Sequence, residues 1–201
     1  CEGNGWSYDH STDTLTLTSG TFDFSSTHPQ KPSEETRPAP AVQCVIESYA
    51  TITGGIFDRT VTNNAGGEIS GGTFYGTVTN SGYIKDGTFN GKVTNRNTIE
   101  NGTFAGSVTN EGTIKNGSFE KKVTNGRTIM DGVFKGVVEN GGNGTIFGGT
   151  FAGSVSNNGG TVNGGIFNGN TGLDGVTDLH SITWDAASSN AKIESRRPSV
   201  R

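Results

Sequence analysis

Apolar residues recur along this chain in three columns with a period of about fifteen residues. Between residues 52 and 167 an Ile or Val is followed five positions later by a Phe, the Phe four positions later by a Val, and the Val two positions later by an Asn. A short internal repeat is typical of a solenoid, because one repeat cannot bury its apolar face alone. The pattern therefore predicts a stack of similar coils.

The predicted core consists of the apolar columns and of the Asn column beside them. Its central apolar members are Ile69, Phe74, Val78, Ile84, Phe89, Val93, Ile99, Phe104, Val108, Ile114, Phe119 and Val123. The Asn column comprises Asn63, Asn80, Asn95, Asn110, Asn125, Asn140 and Asn157. We expect its amides to hydrogen-bond between neighbouring coils, as in-register amide ladders do.

The local composition excludes helix and favours short strands. Each repeat carries two or more Gly, and β-branched Thr, Val and Ile are frequent around the inward positions. In a strand such as Thr103-Phe104-Ala105 neighbouring side chains point to opposite sides, so each coil offers three inward residues on three faces. Gly-Gly or Asx-Gly pairs after each Ile supply the corners. The predicted fold is an all-β, single-stranded, three-sided parallel β-helix of about nine coils of 15 to 17 residues.

Charged residues test the coil register. Parallel coils place equivalent positions about 4.8 Å apart, so neighbouring charges should be opposite. The residues that share a phase in adjacent coils are Lys85, Glu100 and Lys115, then Arg96 and Glu111, then Glu120 and Lys135. Their signs alternate, which supports the register.

Both ends depart from the repeat. We divide the chain into a cap hairpin with the start of the first coil (1–20), an inserted Pro-rich loop (21–45), regular repeats (46–172), and a C-terminal cap or the start of a further module (173–201). An open β-stack needs capping, and two hairpins are predicted, one over 6–17 and one over 182–193.

The first coil is predicted to be interrupted by the Pro-rich loop. Leu17 and Phe22 have the five-residue Ile-to-Phe spacing. Ile46 and Ser48 stand where a Val and its Asn are expected, because Ile46 comes six residues before Ile52.

Composition alone would indicate disorder, since only 29% of the residues are hydrophobic and 33 of 201 are Gly. The repeat overrides this, because a narrow column needs only about three inward side chains per turn. We predict one domain. A net charge of −4 with scattered charges argues against nucleic-acid binding, and no apolar stretch approaches the roughly 18 residues needed for membrane insertion.

Cys1 and Cys44 are the two cysteines, and such a pair in a chain rich in Thr, Ser, Asn and Gly fits an oxidising compartment. Three states stay open: a disulfide between Cys1 and Cys44, two free thiols, or Cys1 as the lipid-modified first residue of an exported lipoprotein. The chain is expected to be a mature or excised fragment.

No catalytic or metal-binding constellation is predicted. The acids are dispersed, and Asp86 and Asp131 share a corner but lie three coils apart. The histidines lie in the predicted caps and the loop without further ligands at metal spacing. We expect no enzyme activity, no metal and no cofactor.

Strings of the form Gly-Thr-Phe-x-Gly-x-Val-Thr-Asn-x-Gly-Thr-Ile, preceded by Gly-Trp-Ser-Tyr-Asp and Thr-Leu-Thr-Leu, resemble repeat regions of exported bacterial cell-surface, adhesin-like β-helix proteins over roughly residues 3 to 170. The resemblance implies a secreted or surface-attached β-solenoid and carries over no catalytic residues. We expect a non-enzymatic, extracellular structural or adhesive module. Its ligand, a surface glycan or a protein, and its oligomeric state stay open.

Two other functions are considered. Paired Thr ranks on a flat solenoid face resemble ice-binding proteins, and the ranks here comprise Thr60, Thr62, Thr77, Thr79, Thr94, Thr109 and Thr124. Lys92, Lys122 and Val137 interrupt the second rank. A glycan-binding or polysaccharide-active β-helix would use exposed aromatic residues, for which the candidates are Tyr75, Tyr83, Phe147, Trp6 and Trp184.

Overall fold

The computed structural model is an all-β solenoid with three stacked parallel sheets, as predicted, and it has about eight turns of about 16 residues. It describes residues 2–24, 42–168, 171–172 and 182–184, and none of these residues is helical. Three sheets run along the stack, and successive coils pair in parallel. The interrupted first coil adds one more strand to two of the three sheets.

The strands are short because each spans only one side of a triangular coil. In the N-terminal part they are β1 (Glu2–Gly3), β2 (Trp6–Asp9), β3 (Thr14–Leu17), β4 (Gly20–Asp23), β5 (Gln43–Ile46), β6 (Ala50–Gly54), β7 (Ile56–Phe57), β8 (Val61–Asn63) and β9 (Glu68–Ile69). The middle coils contribute β10 (Thr73–Phe74), β11 (Val78–Asn80), β12 (Tyr83–Ile84), β13 (Thr88–Phe89), β14 (Val93–Asn95), β15 (Thr98–Ile99), β16 (Thr103–Phe104), β17 (Val108–Asn110), β18 (Thr113–Ile114), β19 (Ser118–Phe119), β20 (Val123–Asn125) and β21 (Thr128–Ile129). The last are β22 (Val133–Phe134), β23 (Val138–Asn140), β24 (Thr145–Ile146), β25 (Thr150–Phe151), β26 (Val155–Asn157), β27 (Thr161–Val162), β28 (Gly165–Phe167), β29 (Thr171–Gly172) and β30 (Ile182–Trp184).

Each sheet forms one face of the column and is named here by its inward residues. The Val–Asn face has the order β1-β2-β3-β5-β8-β11-β14-β17-β20-β23-β26-β29. The Phe face runs from β7 through every third strand to β28 and then β30, and the Ile face runs from β4 and β6 through every third strand to β27. Every third strand meets in one sheet because each coil makes one full turn around the axis.

The register of the regular coils is that of the sequence repeat. Phe89 pairs with Phe104, Ile99 with Ile114, and Val93 with Val108. Neighbouring Phe rings from Phe57 to Phe167 stack 4.7–4.8 Å apart with interplanar angles of 6–9°. Every predicted apolar core residue has at most 2% of its surface exposed. The columns therefore form one continuous buried core.

The corner after each Ile requires glycine. The second member of each pair has a positive φ, for example 138° at Gly87 and 134° at Gly132. The N–H of each of these two glycines donates a 2.8 Å hydrogen bond to the side chain of the preceding residue, Asp86 or Asp131. A Cβ at Gly102 (φ 134°) would lie 3.2 Å from both the Gly87 carbonyl oxygen and the Phe104 ring. The backbone conformation thus disfavours a side chain there, and the packing leaves little room for one.

Gly102→Ala is expected to lower the free energy of unfolding by about 1–3 kcal/mol, because Ala disfavours this left-handed conformation and its Cβ would crowd the Phe104 ring. Thermal and urea unfolding followed by circular dichroism measure the effect. Gly126→Ala is the matched control: Gly126 is exposed, and a Cβ there would lie 3.4 Å from its nearest neighbour. Equal losses in the two variants would contradict the strained-corner assignment.

A hairpin covers the N-terminal end of the stack, as predicted. Strands β2 and β3 pair antiparallel, with Trp6 opposite Leu17 and Tyr8 opposite Leu15. Burial and a hydrogen bond donated to Asp13 raise the pKa of the Tyr8 phenol to about 12. In the loop between the strands, hydrogen bonds from Ser11 and Thr12 lower the pKa of Asp9 to about 2.

The stack should lose stability in acid. Besides Asp9, Glu68 and Glu120 have lowered pKa values, because Lys85 and Lys135 donate hydrogen bonds to them. A carboxyl whose pKa is lower in the folded state stabilises the protein fully above its ordinary pKa, and the contribution is lost as the pH falls through the folded value. We expect a constant Tm from about pH 7 to 5 and a fall between about pH 4.5 and 2.

Circular dichroism melts at stepped pH test this expectation. Asp9→Asn keeps a hydrogen-bond acceptor but cannot titrate, so it should show a smaller acid-induced fall in Tm than the parent protein. An acid-induced fall in Tm of the same size in both proteins would mean that Asp9 does not contribute to the pH dependence.

In the first coil the predicted register of Leu17 and Phe22 is wrong. Phe22 pairs with Ile52 and belongs to the Ile face, whereas Leu17 pairs with Ile46 on the Val–Asn face. The five-residue spacing spans the corner between these two faces, and it lacks the Gly pair that follows Ile in regular coils. Phe24 instead meets the Phe column, with its ring 5.9 Å from that of Phe57.

The predicted positions of Ile46 and Ser48 are also wrong, by two residues. Cys44 pairs with Val61 and Ile46 with Asn63, so Cys44 takes the Val position and Ile46 the Asn position. The next corner is longer than assumed because a turn lies in it, closed by a 3.1 Å hydrogen bond from the N–H of Ala50 to the carbonyl oxygen of Glu47.

The possible disulfide between Cys1 and Cys44 is not supported. Cys44 is a free thiol, fully buried between Leu15 and Val61 in the Val column. Burial raises the pKa of this thiol to about 12, so the reactive thiolate is disfavoured. Cys1 lies outside the described residues.

The boundaries of the inserted loop are narrower than predicted, since Gly20–Asp23 and Gln43–Ile46 form strands. Residues 25–41, which carry the Pro-rich part, lie outside the described residues. At the other end Ile182–Trp184 continues the Phe face, pairing in parallel with Gly165–Phe167. The second half of the predicted C-terminal hairpin lies in 185–201, outside the described residues.

Candidate functional site

The most regular polar feature of the molecule is a buried ladder of asparagine side chains. Asn63, Asn80, Asn95, Asn110, Asn125 and Asn140 are fully buried, and Asn157 is 5% exposed. From Asn63 to Asn140, each Nδ2 donates to the Oδ1 of the next Asn along the chain at 2.7–2.8 Å. All these hydrogen bonds point the same way, so each amide polarises the next.

The ladder also binds the backbone of two coils together. Asn110 Nδ2 donates to the carbonyl oxygen of Gly112 in its own coil at 3.0 Å and to that of Thr128 in the next coil at 3.0 Å. The Gly112 carbonyl also accepts from the Thr128 N–H at 3.1 Å, so the amide adds a side-chain hydrogen bond to the backbone pairing of this corner. The Asn column therefore closes the corner that follows each Val–Asn strand.

One end of the ladder is incomplete. Among the described residues, Asn63 Oδ1 is the buried side-chain atom that lacks a hydrogen-bond partner. Ile46 occupies the preceding position and has no amide to donate. An unpaired buried acceptor costs about 1–3 kcal/mol, so the ladder begins at a weak point.

Ion pairs link neighbouring coils on the outward surface. The pairs are Lys85 with Glu68 at 2.6 Å, Arg96 with Glu111 at 3.3 Å, Lys115 with Glu100 at 3.0 Å, Lys122 with Glu139 at 2.7 Å and Lys135 with Glu120 at 2.8 Å. The predicted pairing of Arg96 with Glu111, Lys115 with Glu100 and Lys135 with Glu120 is thus observed. Lys85 differs, because it turns to Glu68 rather than to Glu100.

The Thr rank considered for ice binding lies on the Val–Asn face. Thr62, Thr79, Thr94, Thr109 and Thr124 pair with one another in register and are half-buried, and Thr60 and Thr77 are exposed beside them. The rank ends at Glu139, which pairs with Thr124 and forms an ion pair with Lys122. Charged side chains therefore project from this face.

The exposed aromatic residues lie on different faces. Tyr75 (56% exposed) is on the Phe face, whereas Tyr83 (41%) and Phe147 (53%) are on the Ile face. Trp6 is half-buried in the cap, and Trp184 lies in β30. Tyr75, Tyr83 and Phe147 therefore do not form one continuous aromatic platform.

Sequence reasoning missed Tyr49, which is 84% exposed and has a φ of 76°. It stands in the turn before Ala50 at the position that Gly66 (φ 84°) takes in the next coil. The sequence does contain a signal for this turn. Cys44 and Ile52 are eight residues apart, as are Val61 and Ile69, so the two corners have the same length and Tyr49 matches Gly66.

Comparison with family models, with curated proteins and with solved structures finds no match for this chain. The likeness to bacterial surface proteins therefore rests on the repeat strings alone. The described part of the chain holds no group of three or more His, Cys, Asp or Glu arranged to bind a metal. It also contains no helix long and apolar enough to cross a membrane.

Proposed function

We propose that this chain is a non-enzymatic structural module of an exported bacterial surface protein, in which a rigid β-helix spaces or presents an adhesive surface. The supporting observation is the unbroken continuity of the inward columns. The Phe stack passes through eight successive rings from Phe57 to Phe167, and the Asn ladder runs beside it from Asn63 to Asn157.

Such a column resists bending. A bend would open one face of the column. It would lengthen the hydrogen bonds of one sheet and at the same time separate the stacked rings. Seven ring-to-ring steps of 4.7–4.8 Å make this part of the rod roughly 33 Å long. A fixed length with chemically varied outer faces suits a spacer.

The absence of catalysis is part of the proposal and is supported by the spread of the acids. Asp86 and Asp131 lie in equivalent corners three coils apart, which is roughly 14 Å at β spacing. Two-carboxylate hydrolysis needs separations of about 5–9.5 Å. Five further acids of the regular coils are engaged in ion pairs with Lys or Arg: Glu68, Glu100, Glu111, Glu120 and Glu139.

Antibodies against the purified chain test the location. They should label intact cells of the source organism, and external protease should remove the signal. Labelling that requires permeabilised cells would overturn the extracellular assignment.

Small-angle scattering tests the rod. The pair-distance distribution should be that of an elongated particle and should not change with ionic strength, because the inward columns are uncharged. A compact or salt-dependent distribution would overturn the spacer role.

A further inference from the structure

An open groove of about 400 Å³ lies near the N-terminal end of the stack, at the corner between the Phe face and the Val–Asn face. This volume is within the range of small-molecule sites. The groove is lined by Gln43, Asp58, Arg59, Thr60, Gly76 and Thr77. It therefore joins three successive coils on the outside of the rod.

Glycine brings neighbouring coils into close contact at this corner. A Cβ at Gly76 would lie 2.1 Å from the carbonyl oxygen of Arg59, and a Cβ at Gly91 would lie 2.1 Å from that of Gly76. Gly76 therefore packs directly on the backbone of Arg59 in the preceding coil. Asp58 and Arg59, both exposed, line the groove beside Gly76.

An exposed tyrosine is the chain neighbour of the lining residue Gly76. Tyr75 immediately precedes Gly76, and its N–H donates to the carbonyl oxygen of Phe57 at 2.8 Å, which places Tyr75 one coil beyond Asp58. Its side chain is 56% exposed. An exposed ring beside polar groups offers a face for aliphatic C–H groups and leaves the phenol in water.

The polar groups are suited to hydroxyl groups. Asp58 accepts hydrogen bonds, Arg59 donates a planar fork, and the Gln43 amide does both. Arg59 Nη1 lies 3.9 Å from Asp13 Oδ2, so its charge is partly balanced. Asp13 and Asp58 together outweigh the one positive charge of Arg59, which disfavours a strongly anionic ligand.

We propose that this groove binds a neutral oligosaccharide, with Tyr75 stacked on one pyranose ring and Asp58, Arg59 and Gln43 bonded to its hydroxyls. This inference rests on the proposed adhesive role and names the surface that would carry it. Thr60 and Thr77 also line the groove, and their hydroxyls would bond to a neighbouring sugar.

Calorimetric titration of the full chain with cello-, xylo-, malto- and chitohexaose, together with sodium polygalacturonate, tests the proposal. At least one neutral hexamer should bind, and Tyr75→Ala should weaken that binding about tenfold or more. Asp58→Asn should weaken it as well, by removing a charged acceptor. Because Tyr75 is exposed, circular dichroism and Tm should be unchanged in Tyr75→Ala.

Tyr83→Ala is the matched control, since Tyr83 is an exposed tyrosine on the Ile face, away from the groove. It should bind as the parent chain does. Binding of no neutral hexamer at millimolar concentration, binding of polygalacturonate alone, or equal losses in the two tyrosine variants would each overturn the proposal. The scattering and cell-labelling results do not depend on these titrations, so the spacer role would stand or fall separately.

Discussion

Phe104→Asp is expected to unfold the middle of the solenoid. Phe104 is fully buried, and its ring stacks on those of Phe89 and Phe119 at 4.8 and 4.7 Å. Removing a buried Phe costs about 3–5 kcal/mol, and leaving an unpaired carboxylate in its place costs several more. Because each coil is stabilised by its neighbours, the damage should spread to the coils on both sides.

Circular dichroism should show a loss of β-structure or a large drop in Tm, and amide exchange should be fastest in the coils around Phe104. Thr103→Asp is the matched control: Thr103 is the other residue of the same strand, is exposed, and should accept the same charge with little effect. A parental melt for Phe104→Asp would mean that the Phe column does not form the core.

The regular coils could be predicted because each column repeats its residue type. Val93, Val108 and Val123 lie at one phase, and no other spacing brings so many apolar side chains together. Alternating charges then gave an independent check, since Arg96 and Glu111 meet only in this register. The repeats thus serve as an internal alignment, which for a non-repetitive fold would have to come from homologous sequences.

The first coil could not be predicted in the same way, because it has only one copy of each position. Leu17 and Phe22 matched the Ile-to-Phe spacing by coincidence, and the better guide was the alternation Leu15-Thr16-Leu17. Both Leu residues face inward, as Val and Asn do in a regular Val–Asn strand. The pairing of inward residues within one strand is therefore more informative than a single spacing between strands.

The groove was not predictable for another reason. It joins Gln43, Arg59 and Gly76, which come from three coils. Sequence reasoning identified Tyr75 as an exposed aromatic residue but placed no polar partners beside it. A site between coils requires the register of the first coil, which is where the sequence-based register was wrong.

The Asn ladder should be as sensitive as the Phe column, although its members are polar. In Asn110→Asp the Oδ1 can still accept from Asn95 Nδ2, but the group that donates to Asn125 Oδ1, Gly112 and Thr128 becomes a second acceptor. A carboxylate would then face three oxygen atoms in a buried site. We expect a loss of about 3–5 kcal/mol at pH 7.

The pH dependence of this variant distinguishes a lost hydrogen bond from a loss of packing. Burial among acceptors should raise the pKa of the new carboxyl, and a protonated Asp can again donate one hydrogen bond. The stability deficit relative to the parent chain should therefore shrink as the pH falls through the raised pKa. Asn110→Leu cannot titrate, so its deficit should not shrink in this way.

Asn90→Asp is the matched control, because Asn90 is exposed and stands outside the ladder. Urea unfolding of the two Asp variants at pH 7 and pH 4 separates the effects: only Asn110→Asp should lose several kcal/mol at pH 7 and recover part of it at pH 4. If Asn110→Asp were as stable as Asn90→Asp at pH 7, the amides would contribute nothing beyond filling space. The rigidity of the rod would then have to come from the Phe and Ile columns alone.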